Sequence, residues 1–244
     1  MLRASILLLF AMLWLPLGQT GFLVEHWMKL GVFAVPFLGI GIYAYARPET
    51  GLDLRGIGFL MLIAYIAHQF EEHWVDLYGN VYAFYTFNNE FILAALGASG
   101  SAVRPLTPES IYVINTALVW LVGLIAIERS PNALLTLFAM AGIIVVNGVV
   151  HIAAGLATLS YNPGLLTSAL LFLPLYGWFL SRFRDERRLI VVGLVWALLA
   201  HALMVGGLLA ANWFGWIPES VYWLALVVWS IVPGLVAWSS SAKP

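Results

Sequence analysis

Eight mostly apolar runs of roughly 17–25 residues divide this chain, and a helix of that length crosses the ~30 Å hydrocarbon core of a bilayer. They are Ala4–Val24, Leu30–Ala46, Gly56–Val75, Ile111–Ile127, Ala133–Ala157, Gly164–Ser181, Leu189–Ala211 and Ser220–Ala237. Charged residues make up 9% of the chain and mean hydropathy is +0.94. A soluble domain carries ~25% charged residues, so too few are present to cover a surface facing water. The pattern predicts an all-α, polytopic transmembrane bundle of about eight helices, one membrane domain over residues 1–244. Arg3 and the run after it also fit a signal peptide, which would leave seven helices. No small-x-small cleavage site stands out near Gln19–Gly21, so an uncleaved helix is the expectation.

The placement of Lys and Arg predicts orientation. With eight spans, Arg3, Arg47, Arg55, Arg129, Arg182, Arg184, Arg187, Arg188 and Lys243 fall on one side, and only Lys29 and Arg104 on the other. Nine against two puts both termini in the cytoplasm of a multi-pass protein of the cell (inner) membrane. The run from Arg182 to Arg188 reads as a topology anchor near anionic lipid. The one long connection, residues 74–110, lies outside. Tyr78, Tyr82, Phe84, Tyr85 and Phe87 make it too aromatic for a linker and suit a helix lying at the interface.

Two function classes drop out early. A net charge of −1 offers no electrostatic case for nucleic acid. With no cysteine there are no disulfides, thiolate metal sites or thiol nucleophile.

Ionisable groups inside a span are costly, so each marks function by default. The third run carries His68-Gln69-Phe70-Glu71-Glu72-His73. Positions i, i+3 and i+4 share a helix face, so His68, Glu71 and Glu72 converge and His73 turns away. The fifth run adds Asn147 and His151 at the same spacing, and the sixth is entered through Tyr161-Asn162-Pro163-Gly164. By itself Pro163-Gly164 is a turn and a helix start. At ~1.5 Å per residue, Glu72 and His151 lie about 24 and 27 Å above the starts of their spans, so the motifs share one layer, the outer third of the bilayer. His201 sits deep in the seventh run. His26 beside Glu25 reads as an interfacial loop pair, and Glu90 as a loop charge.

An imidazole beside carboxylates suits a divalent metal or acid–base work. The expected ligands are His68, Glu71, Glu72 and His151, with one glutamate as base. Asn147 orients a ligand from behind, with His201 in the same outer tier, and Tyr161 and Asn162 polarise substrate. Zinc, iron and manganese are not distinguished. The leading expectation is a metal-dependent enzyme embedded in the membrane and acting on a lipid or other hydrophobic small molecule. A metal-free lipid isomerase or cyclase and a proton- or cation-coupled transporter are the alternatives. No inverted repeat supports the last.

His68-x-x-Glu71-Glu72, then Asn147 and His151, then Tyr161-x-Pro163-Gly164, make the chain similar to the HXXEE-domain membrane proteins, over about residues 56–181. The resemblance implies a polytopic membrane protein of bacterial type whose motifs point to an enzyme with no named substrate. The CAAX-protease-like peptidases also carry a diglutamate. They require an arginine where this chain has Asp76, and a phenylalanine where it has Asn147. Five histidines without HxxxH pairs exclude the membrane hydroxylases and desaturases.

Overall fold

The structure is a computed structural model that describes residues 21–47, 51–130 and 132–241. Its helices are α1 (Gly21–Ala44), α2 (Leu54–His73), α3 (Ala83–Ala95), α4 (Pro108–Arg129), α5 (Leu135–Thr158), α6 (Leu165–Arg182), α7 (Arg187–Trp213) and α8 (Glu219–Ser241). The expected run Ala4–Val24 lies mostly outside the described residues. A two-residue antiparallel ladder, β1 (Ala46–Arg47) with β2 (Gly51–Leu52), joins α1 to α2.

Six helices, α1 and α4 to α8, are long and apolar enough to cross a membrane. Their outer faces carry large exposed apolar side chains such as Phe33, Leu156, Leu170 and Leu224. Water would penalise such surface and hydrocarbon does not. α2 is long enough to span, but its second half is polar and turned inward. His68, Gln69, Glu71, Glu72 and His73 are all buried.

Most expected boundaries fall within three residues of the observed ones. One expectation fails. Residues 25–29, read as a loop holding Glu25 and His26, continue α1 without a break. Lys29 sits one turn from Glu25 and His26 on that helix, and its Nζ lies 3.2 Å from His26 Nδ1. Charged residues near a helix end mimic a loop in composition while keeping helical spacing. The aromatic part of the long connection folds as α3.

Helix contacts are close where side chains are small. At the crossing of α5 and α7, a Cβ added to Gly142 would lie 2.5 Å from the Gly193 carbonyl oxygen, and one added to Gly193 2.5 Å from that of Phe138. Backbones approach this closely only through glycine, a common device in membranes. Segments of π-helix interrupt α4 (Asn115–Leu121) and α6 (Ser168–Phe172), and another ends α7 (Leu209–Trp213). Such bulges concentrate at functional sites. Asn115 of the first and Phe172 of the second reach the site described below.

Candidate metal centre

α2 ends with His68 and Glu72 one turn apart, and α5 brings His151 to the same point. Glu72 Oε1 lies 2.9 Å from His151 Nε2 and 3.4 Å from His68 Nε2. His68, Glu72 and His151 each offer one donor atom, all within 4.8 Å of one another, and all three side chains are buried. Together they can hold a metal ion.

Hydrogen bonds behind the two rings fix where their lone pairs point. Asn162 Nδ2 donates to the His151 carbonyl oxygen at 3.0 Å, so its Oδ1 faces His151 Nδ1 at 2.8 Å. The ring therefore carries a proton on Nδ1 and turns Nε2 toward Glu72. For His68 the orienting group is Thr167. The Thr167 hydroxyl donates to Glu71 Oε2 at 2.6 Å, which leaves its oxygen to accept from His68 Nδ1 at 2.7 Å. Nε2 of His68 is left buried without a hydrogen-bond partner. The two imidazole Nε2 atoms and a carboxylate oxygen thus face one another in a buried pocket.

Glu71 stands apart from this group. Its Oε1 accepts from the Tyr161 hydroxyl at 2.9 Å and the Leu166 N–H at 3.0 Å, and its Oε2 from the Thr167 N–H at 2.7 Å. These amides are in the first turn of α6, which lacks a side-chain cap of its own. A carboxylate there satisfies orphan donors and complements the helix dipole. Tyr161 also accepts from the Leu77 N–H at 3.0 Å. Burial pushes its phenol pKa up, and the neighbouring Glu71 carboxylate pushes it further, so it remains a donor.

Gly164 shows why the turn before α6 has its sequence. Its φ is +95°, and a Cβ there would lie 2.8 Å from the Cε1 atoms of both His151 and His68. The turn expected at Pro163-Gly164 is present, and it is also the surface on which both imidazoles rest. Phe172 closes the site beneath His68, with ring centroids 4.4 Å apart.

Other expected residues take different places. No side-chain hydrogen bond joins Asn147 to a cluster histidine; its Nδ2 donates to the Tyr65 hydroxyl at 2.7 Å, and its Oδ1 is buried without a partner. The orienting role expected of Asn147 is filled by Asn162. His201 Nδ1 bonds the Ala197 carbonyl oxygen one turn back at 2.8 Å and lines the cavity beside the cluster. Glu90 is an exposed residue of α3.

His73, expected to turn away, does not. Its Nε2 lies 3.3 Å from Glu72 Oε2. A directed chain holds it there. The Trp120 indole N–H, a donor only, bonds Gln69 Oε1 at 2.9 Å, and Gln69 Nε2 donates to Asn115 Oδ1 at 2.8 Å. Asn115 Nδ2 then faces His73 Nε2 at 3.2 Å. A lone asparagine and a lone glutamine in apolar spans were the signals available for this network.

Two cavities flank the centre. One of about 280 Å³ reaches Glu72, His73 and His151, and its walls are largely apolar. His68 does not line it and is wholly buried. The second, of about 400 Å³, lies between α1, the start of α4, and Tyr82 and Tyr85. His73 and Ile111 line both.

A family model described as a protein of unknown function with an HXXEE motif matches residues 59–179. That span holds all three donors of the cluster and the turn carrying Gly164. No curated protein and no solved structure matches the chain.

Proposed function

We propose that this chain, which belongs to the HXXEE family across residues 59–179, is a metal-dependent enzyme embedded in the membrane and acting on a hydrophobic substrate. One observation carries the proposal. Both imidazoles are held by donation from Nδ1 to Thr167 and Asn162, so that their Nε2 lone pairs meet the Glu72 carboxylate. Three electron-rich atoms packed together without a proton repel one another, and a shared divalent cation removes the repulsion. Histidine, histidine and carboxylate form a familiar ligand set that leaves a coordination position open. An ion bound there supplies a Lewis acid that polarises a carbonyl or lowers the pKa of a bound water to about 7.

The surrounding residues have separable tasks. Asn162 and Thr167 set the ring orientations, as the outer partners of metal-bound histidines commonly do. Glu71 fixes the first turn of α6 and with it Thr167. The adjoining cavity, in a bundle whose outer faces are apolar, suits a molecule delivered from hydrocarbon. A second reading rests on the 2.9 Å between His151 Nε2 and Glu72 Oε1. That is hydrogen-bond length if His151 is protonated, and the pair then works as a metal-free acid and base.

Metal analysis separates the two. The purified protein should retain a divalent ion, and His68→Ala and Glu72→Ala should insert, fold and lose it. Asn162→Ala should weaken binding by about 10–100-fold. A purely structural charge cluster predicts the reverse, because removing one partner leaves buried charge unpaired at about 3–5 kcal/mol. Single variants would then fold poorly. Well-folded variants that keep their metal would overturn the centre.

A further inference from the structure

Asn147 holds an amide oxygen that the cluster does not use. Oδ1 is buried with no hydrogen-bond partner, while Nδ2 is engaged by Tyr65, and the side chain lines the same cavity as Glu72 and His151. A buried acceptor left unmade is costly, so it marks a place where a ligand donor belongs. The charge of the cavity narrows that ligand further. No Lys or Arg lines it, and Glu72 contributes a carboxylate. Phosphate recognition at Asn147 calls for cationic side chains or a cluster of backbone N–H groups beside it, and apart from an ion held by the cluster the lining offers no cation.

Part of the lining differs in kind. Phe91 of α3, Val150 of α5 and Val205 of α7 line the cavity, yet they are 46%, 54% and 46% exposed. Residues that both line a cavity and face outward mark its mouth. α5 and α7 are two of the helices apolar enough to span, so this mouth opens sideways toward hydrocarbon. At about 280 Å³ the chamber is small. Ligand pockets typically run from ~300 Å³ upward, which leaves room for one chain and not two.

Resting on the metal-centre reading, we propose that the substrate is a single-chain amphiphile with an uncharged, hydroxyl-bearing head. It enters between α3, α5 and α7, its chain trails through the mouth at Val150 and Val205, and its hydroxyl donates to Asn147 Oδ1 beside Glu72.

The test uses the full chain in lipid nanodiscs and three probes of equal chain length: a monoacylglycerol, a monoalkyl phosphate and the plain alkane. Saturable binding of the monoacylglycerol, well above that of the other two, is the expected result. Asn147→Ala should weaken it by about tenfold. The pair Val150→Trp with Val205→Trp should abolish it, and Val150→Trp alone should reduce it if the double variant inserts poorly. Metal content should be unchanged in all of these. Equal binding of the phosphate would overturn the uncharged head, and undiminished binding in the Trp variants would overturn the lateral mouth. A wild-type protein that binds the probe but holds no metal would overturn the metal centre and leave the amphiphile standing.

Discussion

At the scale of single residues, the site depends as much on what is missing as on what is present. Gly164 lacks a Cβ, and both imidazoles occupy the space. Gly164→Ala imposes two costs, a strained φ of about 1–3 kcal/mol and a collision with both rings. Expression should persist with lowered thermal stability, and metal affinity should fall more than stability does. An alanine variant that binds metal like the wild type would show that the rings do not depend on this contact. The adjacent glutamates illustrate how far spacing can be read. Helical periodicity put His68, Glu71 and Glu72 on one side of α2, and all three are buried there. Periodicity does not say which neighbour a carboxylate meets. Glu71 meets the start of α6, and Glu72 meets His151. Glu71→Gln should therefore lower stability while leaving metal bound, and Glu72→Gln should release it, which thermal melting and metal analysis on the same samples resolve. His73 escaped the sequence for the same reason: its position depends on Asn115 and Trp120 in another helix.

Among elements, the connection from α2 to α3 is the most legible in hindsight. Asp76 Oδ1 accepts from the N–H groups of Tyr78 and Asn80 at 2.9 and 2.8 Å, and its Oδ2 from Asn80 Nδ2 at 3.0 Å. Such aspartate turns have a plain signature, here Asp76 followed by Gly79-Asn80. Burial would raise the Asp76 pKa, but the bonds from Asn80 and its neighbours outweigh it and hold the carboxyl below its ordinary 3.8. The folded form thus favours the ionised state. Its contribution is complete above about pH 4 and is lost as pH falls through the depressed folded value. Protection of the amides of residues 78–80, measured relative to the intrinsic exchange rate at each pH, should fall below about pH 4 in the wild type, whereas Asp76→Asn should show no such step. The α2–α3 turn matters because Leu77 bonds Tyr161, and Tyr161 bonds Glu71. The helix α3 itself is predictable from its aromatic content. That it would wall a cavity was not, since walls depend on tertiary packing that composition does not encode.

For the whole molecule, the polar centre and the basic residues occupy opposite ends. α2 begins near Arg55 and finishes at Glu72, α6 begins beside the centre and finishes at Arg182, and α7 starts again at Arg187. Arg182 donates to the Leu52 carbonyl oxygen at 2.9 Å, which ties the basic end of α6 to the start of α2. Alternating helices therefore collect Arg55, Arg129, Arg182, Arg184, Arg187 and Arg188 away from the cluster. The excess of Lys and Arg in short loops marks the cytoplasmic side, so the centre should lie toward the outer face. Topology reporters check this directly. Fusions after Gly100 should score external, and fusions after Arg184 or Lys243 cytoplasmic. The reverse result would keep the cluster intact, because its geometry is internal to the bundle, but would place its lateral mouth in the cytoplasmic leaflet. Single-cysteine labelling decides between the leaflets cleanly, since the chain has no native cysteine. Cysteine at Ser101 or Ser160, at the same end as the centre, should react with an impermeant thiol reagent in intact cells, while cysteine at Asp185 should react only after the membrane is opened.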